Sequence, residues 1–305
     1  MSLKPARHTF DALTLLVVTT VGLLCGCNND PLCLPDGEML KIDWQDVSER
    51  IKQVIDVGDL ENLTDERLTA KYSTDKIEAL VRHPTSTGNR YLLLLQRAGR
   101  QQSVVIPGTN LSIIQDVLAD LDSTPIMDPE LGVEFHRGFY NLSGGLRADL
   151  EPLLNPHYVT HLTGYSLGGA MAVILSLQLE LHGFDVKSVV TFGQPKVTLA
   201  SGAYKFSDRP LLRFIAAYDG IPILFTDPAY AHFGEEVILL DGPNLVYLKP
   251  SDLNYVLSTN PPAQDPNGAL NVKDHGTYMT RIASKLDVNL NPVSYCARSQ
   301  FVSSE

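Results

Sequence analysis

Between Val159 and Ala170 the chain reads Val-Thr-His-Leu-Thr-Gly-Tyr-Ser-Leu-Gly-Gly-Ala: an apolar run, a serine between glycines, then helix-forming residues. Few sequences constrain a fold as tightly. Gly164-Tyr165-Ser166-Leu167-Gly168 fits a Gly-x-Ser-x-Gly turn, in which the serine sits strained at the tip of a strand with its hydroxyl exposed. Strand and helix approach too closely there for side chains, and Gly164, Gly168, Gly169 and Ala170 supply the small residues. The helix begins at the serine, so free backbone N–H groups favour negative charge beside it. Met171 to Leu179 then continue as a largely buried helix. This context implies a nucleophilic Ser166.

Such a serine needs a base and an acid, in the chain order Ser, Asp or Glu, His. Three histidines follow it. His182 falls near the far end of the helix that starts at the turn, and His232 lies in an aromatic-rich loop. His275 occupies a polar turn ahead of a helical segment. For the acid, Leu211 to Ala217 reads as a buried strand, with Asp219 just past its end. The carboxyl ends of central strands are where α/β proteins build sites. Asp227, in a Pro-bounded loop, is the weaker alternative, and a lone aspartate after a strand is often only a turn former.

Six stretches in order resemble one family. They are Val105-Ile106-Pro107-Gly108-Thr109, Val133 to Phe139 (with His136-Arg137-Gly138-Phe139), Gly164 to Ala170, Thr191 to Val197 (with Phe192-Gly193-Gln194-Pro195), Asp219-Gly220-Ile221-Pro222, and Asp274-His275-Gly276-Thr277-Tyr278. Together they resemble the class 3 (fungal-type) triacylglycerol lipases over roughly residues 90 to 280. The resemblance implies an α/β-hydrolase fold with a mostly parallel central sheet and helices on both faces. It implies a Ser166, Asp219, His275 triad, and an oxyanion hole from the backbone N–H groups of Thr109 and Leu167 with the Thr109 hydroxyl as a third donor. The expected substrate is a lipid ester, an acylglycerol above all. A phospholipase or acyltransferase on the same scaffold, or a non-catalytic envelope lipoprotein, stays open. No cofactor or metal is expected. Two residues depart from the family pattern: Pro107 replaces the usual arginine before Gly-Thr, and Tyr165 stands where histidine is common.

After Thr109, residues 111–121 have helical period, with Leu111, Ile114, Leu118 and Leu121 in one apolar stripe widened by Val117. In the family this resembles, the corresponding segment is a lid over the serine. An ordinary helix packed on the sheet is the alternative.

At the amino terminus Lys4 and Arg7 precede about a dozen apolar residues from Ala12 to Leu24, the pattern of an export signal. Leu24-Cys25-Gly26-Cys27 resembles a bacterial lipobox. Residues 1–26 are therefore expected to be a lipoprotein signal peptide, Cys27 the lipidated first residue, 27–40 a tether and 41–305 the hydrolase domain. That makes the chain an exported protein, held at a membrane surface of the bacterial envelope by its lipid. Asn28 after the cysteine points to the outer membrane. Cys33 and Cys296 would remain, either paired or as free thiols. A formal net charge of −11 argues against nucleic acid as a partner.

Elsewhere, Ile42 to Val57 and Thr64 to Arg82 have helical spacing. Tyr91 to Leu95, Ser103 to Ile106 and Val186 to Phe192 read as strands, alternating with helices as in a mostly parallel sheet. Val237 to Leu240 and Leu245 to Leu248 read as a hairpin, and Ser258 to Gly268 as a Pro- and Asn-rich loop.

Overall fold

Runs of alternating and continuous apolar residues place one sheet between two helical layers. The structure is a computed structural model that describes residues 42–58, 65–72, 76–85, 88–97, 99–112, 114–225, 230–249 and 272–302. The expected signal segment 1–26, Cys27, the expected tether, Cys33, Asp227, the expected loop 258–268 and the side chain of Cys296 lie outside the described residues.

Helices α1 (Trp44–Gly58) and α2 (Asp65–Lys71) come first, then strands β1 (Lys76–Thr85), β2 (Gly88–Arg97) and β3 (Gln101–Ile106). There follow α3 (Ile114–Asp120), β4 (Pro125–Asp128), β5 (Val133–His136), α4 (Arg137–Leu150), β6 (Val159–Tyr165) and α5 (Leu167–Leu181). Next are β7 (Asp185–Phe192), β8 (Thr198–Leu199), α6 (Ala200–Lys205), β9 (Leu211–Ala216), β10 (Tyr230–Ala231), β11 (Glu235–Leu239) and β12 (Asn244–Leu248). The described chain ends with α7 (Tyr278–Ala283) and β13 (Asn291–Pro292).

Among the described residues, nine strands form the main sheet in the order β1-β2-β3-β6-β7-β9-β11-β12-β13. Its centre, β3-β6-β7-β9-β11, is parallel throughout. The β1–β2, β2–β3 and β11–β12 pairs are antiparallel. A small second sheet runs β10-β8-β5-β4.

Alternation along the strands decides which layer each residue enters. On β3, Val104 and Ile106 join the larger core cluster with α3, α4 and α5, while Val105 faces the other side with α1 and α7. The same split separates Val189 from Val190 and Phe192 on β7. Helix α5 is buried from Leu167 to Leu179. A helix that is apolar all round belongs inside a domain, not on its surface. Helix α1 instead buries one face, Val47, Ile51, Val54 and Val57. Arg50 Nη1 donates to Thr163 Oγ1 at 2.9 Å, which ties α1 to the middle of β6.

One expected element is corrected. The helical spacing from Thr64 to Arg82 is broken: α2 ends at Lys71, and β1 takes Lys76 onward into antiparallel pairing with β2. The Lys-Ile-Glu-Ala-Leu-Val-Arg run suits either period. A backbone ladder with β2, from Lys76 opposite Gln96 to Thr85 opposite Gly88, decides for the strand. The hairpin at β11–β12 pairs as its Asp241-Gly242-Pro243-Asn244 turn implies.

His136, at the end of β5, is fully buried and stacks on Phe139 at 4.1 Å and edge-on against Phe225 at 4.4 Å. Neither ring nitrogen has a hydrogen-bond partner among the described residues. Burial holds its pKa down to about 4, so the folded protein keeps it neutral. The unfolded chain takes up a proton near pH 6.5 and the folded one does not. His136 therefore costs stability progressively as pH falls from about 6.5 to about 4. In His136→Phe the loss of melting temperature across that window should be shallower than in wild type, as followed by circular dichroism. Equal slopes would show that His136 is not a source of the acid sensitivity.

Candidate active site

The carboxyl ends of four neighbouring parallel strands converge, and each carries one part of the site. Thr109 follows β3, Ser166 follows β6, Gly193 follows β7, and Asp219 follows β9. Open α/β sheets place ligands at this edge.

Ser166 adopts φ 55 and ψ −125, a conformation costing a non-glycine residue about 1–3 kcal/mol. It is held on both sides. Its N–H donates to the Phe192 carbonyl at 2.8 Å, and its carbonyl accepts from Gly169 and Ala170 at 2.9 and 3.2 Å. A Cβ on Gly164 would overlap the Gly168 carbonyl, and one on Gly168 would overlap the carbonyls of Ile106 and Pro107. Backbone contact this close sets the turn. Leu167 opens α5, where helical N–H groups lack intrahelical acceptors.

Asp219 and His275 are brought together 56 residues apart in sequence. His275 Nδ1 lies 2.7 Å from Asp219 Oδ2, and both side chains are fully buried. The carboxylate can only accept, so Nδ1 carries the proton and Nε2 is left as acceptor. Asp219 Oδ2 also accepts from the Tyr278 hydroxyl at 2.5 Å, and Oδ1 from the Ile221 N–H at 2.9 Å. Tyr278 in turn accepts from the Ala216 N–H at 3.1 Å. Burial, followed by the Asp219 charge, pushes the Tyr278 pKa well up, which keeps the phenol a donor. Ser166 Oγ and His275 Nε2 are both buried and have no hydrogen-bond partner among the described residues.

Two further residues shape the surroundings of His275. The Tyr165 ring stacks on the His275 imidazole at 4.9 Å, and its hydroxyl donates to the His275 carbonyl at 2.5 Å. Burial raises its pKa too. Gly193 has φ 59, and a Cβ there would come within 2.6 Å of His275 Cε1 and 2.9 Å of Asp219 Oδ2. The turn after β7 must be glycine because the pair occupies the space where a side chain would go.

The remaining candidates lie elsewhere. His182, at the other end of α5 from Ser166, contacts Arg147 at 2.7 Å and Glu151 at 2.8 Å. His232 is buried beneath the loop after Asp219, with Nε2 2.8 Å from the Pro222 carbonyl. Burial, then the Arg213 and Lys196 charges, depress its pKa well below the usual range, so it acts as a neutral prop for that loop. Beside it, buried Arg213 donates to the Phe233 carbonyl at 3.0 Å and pairs with Glu236. Thr109 is buried in the loop after β3, and Pro107 directs its carbonyl at Gly168.

The stripe of residues 111–121 is divided. Helix α3 is shorter than expected, and its Ile114, Val117 and Leu118 enter the larger core cluster, with Leu121 partly buried against it. Leu111 precedes the helix and is 42% exposed. Its side chain lies against Gly276.

Among the described residues no cluster of three or more His, Cys, Asp or Glu could hold a metal ion. A hollow of about 560 Å³ opens at the opposite edge of the sheet, near Val186 and Phe206. The Glu180–Arg209 ion pair, 3.0 Å long, joins two residues of its lining. A smaller one of about 320 Å³ is lined by Thr109, Tyr165 and His275. Chemistry, not volume, selects the second.

Residues 103–228 match the family model for lipase (class 3). A lipase of Rhizomucor miehei is 30% identical over 177 residues, covering 52% of this chain and 48% of that one. A chloroplastic phospholipase A1 of Arabidopsis thaliana is 33% identical over 90 residues, 26% of this chain and 13% of its own length. The chain thus spans about half the length of the first of these relatives and far less of the second. Lipase II from Rhizopus niveus shares the fold with a TM-score of 0.61 at 17% identity, over 85% of this chain and 98% of that one. The triacylglyceride lipase of Rhizomucor miehei does so with a TM-score of 0.56 at 20% identity, over 77% and 94%. The fold is that of the α/β-hydrolases, and the segment 103–228 is similar to the class 3 lipases.

Proposed function

We propose that this chain is a serine hydrolase of carboxylic esters, acting on lipid esters and first of all on acylglycerols. The observation that carries the reading is the buried Asp219–His275 pair, set at the same sheet edge as a serine at positive φ. The match of residues 103–228 to the class 3 lipase model supports it.

In this mechanism Ser166 Oγ attacks the ester carbonyl while His275 Nε2 takes the hydroxyl proton. The carbonyl oxygen becomes an oxyanion, received by the N–H groups of Leu167 and Thr109. The tetrahedral adduct collapses, His275 returns the proton to the leaving alcohol, and an acyl-Ser166 ester remains. Water, deprotonated by His275, then attacks that ester and releases the acid and the free serine. Asp219 holds the imidazole in the required tautomer and stabilises the imidazolium, and Tyr278 fixes the carboxylate. A single oxyanion donor typically contributes about 3 kcal/mol to such a barrier. Phospholipase activity remains the second reading, favoured by the match to a phospholipase A1.

Ser166→Ala and His275→Ala should each lower kcat on a soluble ester by about a thousandfold or more, and the double variant should lose little further. Additive losses would contradict a single catalytic unit. Tyr278→Phe should lower kcat about tenfold with KM within twofold, because it acts on the acid and not on substrate. A changed KM with unchanged kcat would remove Tyr278 from that role.

We also read Cys27 as the lipidated residue of an exported protein held at the envelope surface, from its lipobox-like context. Stable anchoring takes more than one acyl chain. Intact mass should begin at lipid-bearing Cys27, and Cys27→Ser should release the protein from membranes or leave it unprocessed. A soluble wild-type protein cut at another site would overturn this.

A further inference from the structure

The turn that carries His275 is weakly built by itself. Residues 274–276 form a single 3-10 turn, closed by the N–H groups of His275, Gly276 and Thr277 on carbonyls three residues back, at 3.2, 3.3 and 3.0 Å. Bonds of this type have poorer geometry than those of an α-helix. The imidazole must nonetheless meet Asp219, on another element, within hydrogen-bond reach. Bonds to the Asp219 carboxylate cannot set that meeting alone, because the carboxylate is itself one of the parts to be placed.

Asp274, directly before His275, supplies a bond that is independent of that carboxylate. Its Oδ2 accepts from the N–H of Tyr218, the residue directly before Asp219, at 3.2 Å. The same oxygen accepts from Arg281 Nη2 at 3.2 Å. Arg281 stands on α7, four residues past Thr277 and seven past Asp274, a spacing that puts all three on one face. Its Nε donates to Thr277 Oγ1 at 3.0 Å, and that hydroxyl donates to the Asp274 carbonyl at 2.7 Å. Its Nη1 crosses to the β11–β12 hairpin, donating to Asp241 Oδ1 at 2.7 Å and to the Leu239 carbonyl at 3.4 Å. One planar guanidinium spans the turn and the hairpin, which the compact ammonium of a lysine does not match. The Arg281 and Asp274 side chains are 12% and 15% exposed, unlike a freely solvated surface pair. The hairpin is a fixed support, since Lys285 also donates to its Leu240 carbonyl at 2.8 Å and to that of Gly242.

We propose that Asp274 and Arg281 are positioning residues for the hydrolysis, a clamp that holds the turn of His275 against the end of β9 and so sets the His275–Asp219 hydrogen bond. This rests on the ester-hydrolase reading of Ser166. The clamp joins backbone to backbone: the residue before Asp219 is tied to the residue before His275, and Arg281 braces that tie on a third element. Both residues act through His275 and Asp219 and not on substrate, so their loss falls on kcat and leaves KM nearly unchanged. Displacing reacting groups by about 1 Å can cost roughly a hundredfold in rate, so a partial release of the turn costs about tenfold.

The test uses Asp274→Ala and Arg281→Ala in the full chain, with Arg281→Lys as a milder variant that keeps the charge should Arg281→Ala fail to fold. Two measurements are made on wild type and on each variant that keeps its melting transition. The first is kcat and KM on 4-nitrophenyl acetate. The second is the proton spectrum of protein labelled with nitrogen-15 histidine, in which the His275 Nδ1 proton, held on a buried carboxylate, is identified by its loss in His275→Ala. This second readout needs no turnover, and a role in overall stability alone would not move it in a folded variant. The proposal expects kcat to fall about tenfold or more with KM within twofold, and the Nδ1 proton to shift or broaden, in Asp274→Ala and in the folded Arg281 variants alike. An Nδ1 proton unchanged from wild type overturns it whatever the turnover, and so does a kcat within twofold of wild type. If wild type hydrolyses no ester, the reading of Ser166 fails, while the Nδ1 proton still decides whether Asp274 and Arg281 set the His275–Asp219 bond.

Discussion

One carboxylate oxygen ties the far parts of this chain together. Asp219 Oδ2 receives the imidazole of His275 and the phenol of Tyr278, and it sits where a side chain at position 193 would otherwise reach. Three stretches therefore depend on one buried charge: the end of β9, the turn after β7, and the segment that opens α7. An ionised carboxylate away from water is costly unless its lone pairs are satisfied. Here the Ile221 N–H satisfies the second oxygen. The arrangement stabilises the fold only because it is complete, and the same completeness orients the imidazole.

The second dependency is steric. At the turn between β6 and α5, backbone meets backbone without intervening side chains, and the loop after β3 closes against Gly168. This contact fixes three things at once: the serine's dihedral angles, the start of α5, and the position of Thr109 relative to that start. The strain at Ser166 persists because hydrogen bonds from β7 and α5 hold the residue on both sides. The aromatic layer beneath it, Tyr165 on His275 and Tyr278 edge-on to both, replaces a polar neighbour with packing. Tyr165 contributes a stacked face and one hydrogen bond to the backbone of His275.

Much of this was legible in the sequence because its causes are local. Glycines around Ser166, the apolar runs of β3, β6, β7 and β9, and an aspartate just past β9 are signals within a few residues of the features they produce. The strand β1 was not legible as a strand. Its Lys76–Arg82 run suits a helix equally, and only the ladder with β2 decides. The roles of Tyr165, Gly193 and Tyr278 were hidden for a related reason, since each acts on a partner distant in sequence. Gly193 carried a signal, a glycine directly after a buried strand, but what it makes room for exists only in three dimensions. The stripe from Leu111 to Leu121 misled by continuity: its spacing is helical, yet Leu111 leaves the helix and faces a different hollow. That hollow needs α1, more than 200 residues from His275, and no local pattern announces it.

The chemistry of the site turns on whether Ser166 is a nucleophile made reactive by His275 and Asp219. The most direct measurement is covalent labelling with an alkyl fluorophosphonate, followed by peptide mass spectrometry. One adduct is expected, on Ser166, formed in wild type and reduced at least a hundredfold in rate in His275→Ala while that variant keeps its melting transition. Labelling at another residue, or equal labelling of Ser166 in wild type and His275→Ala, would contradict it.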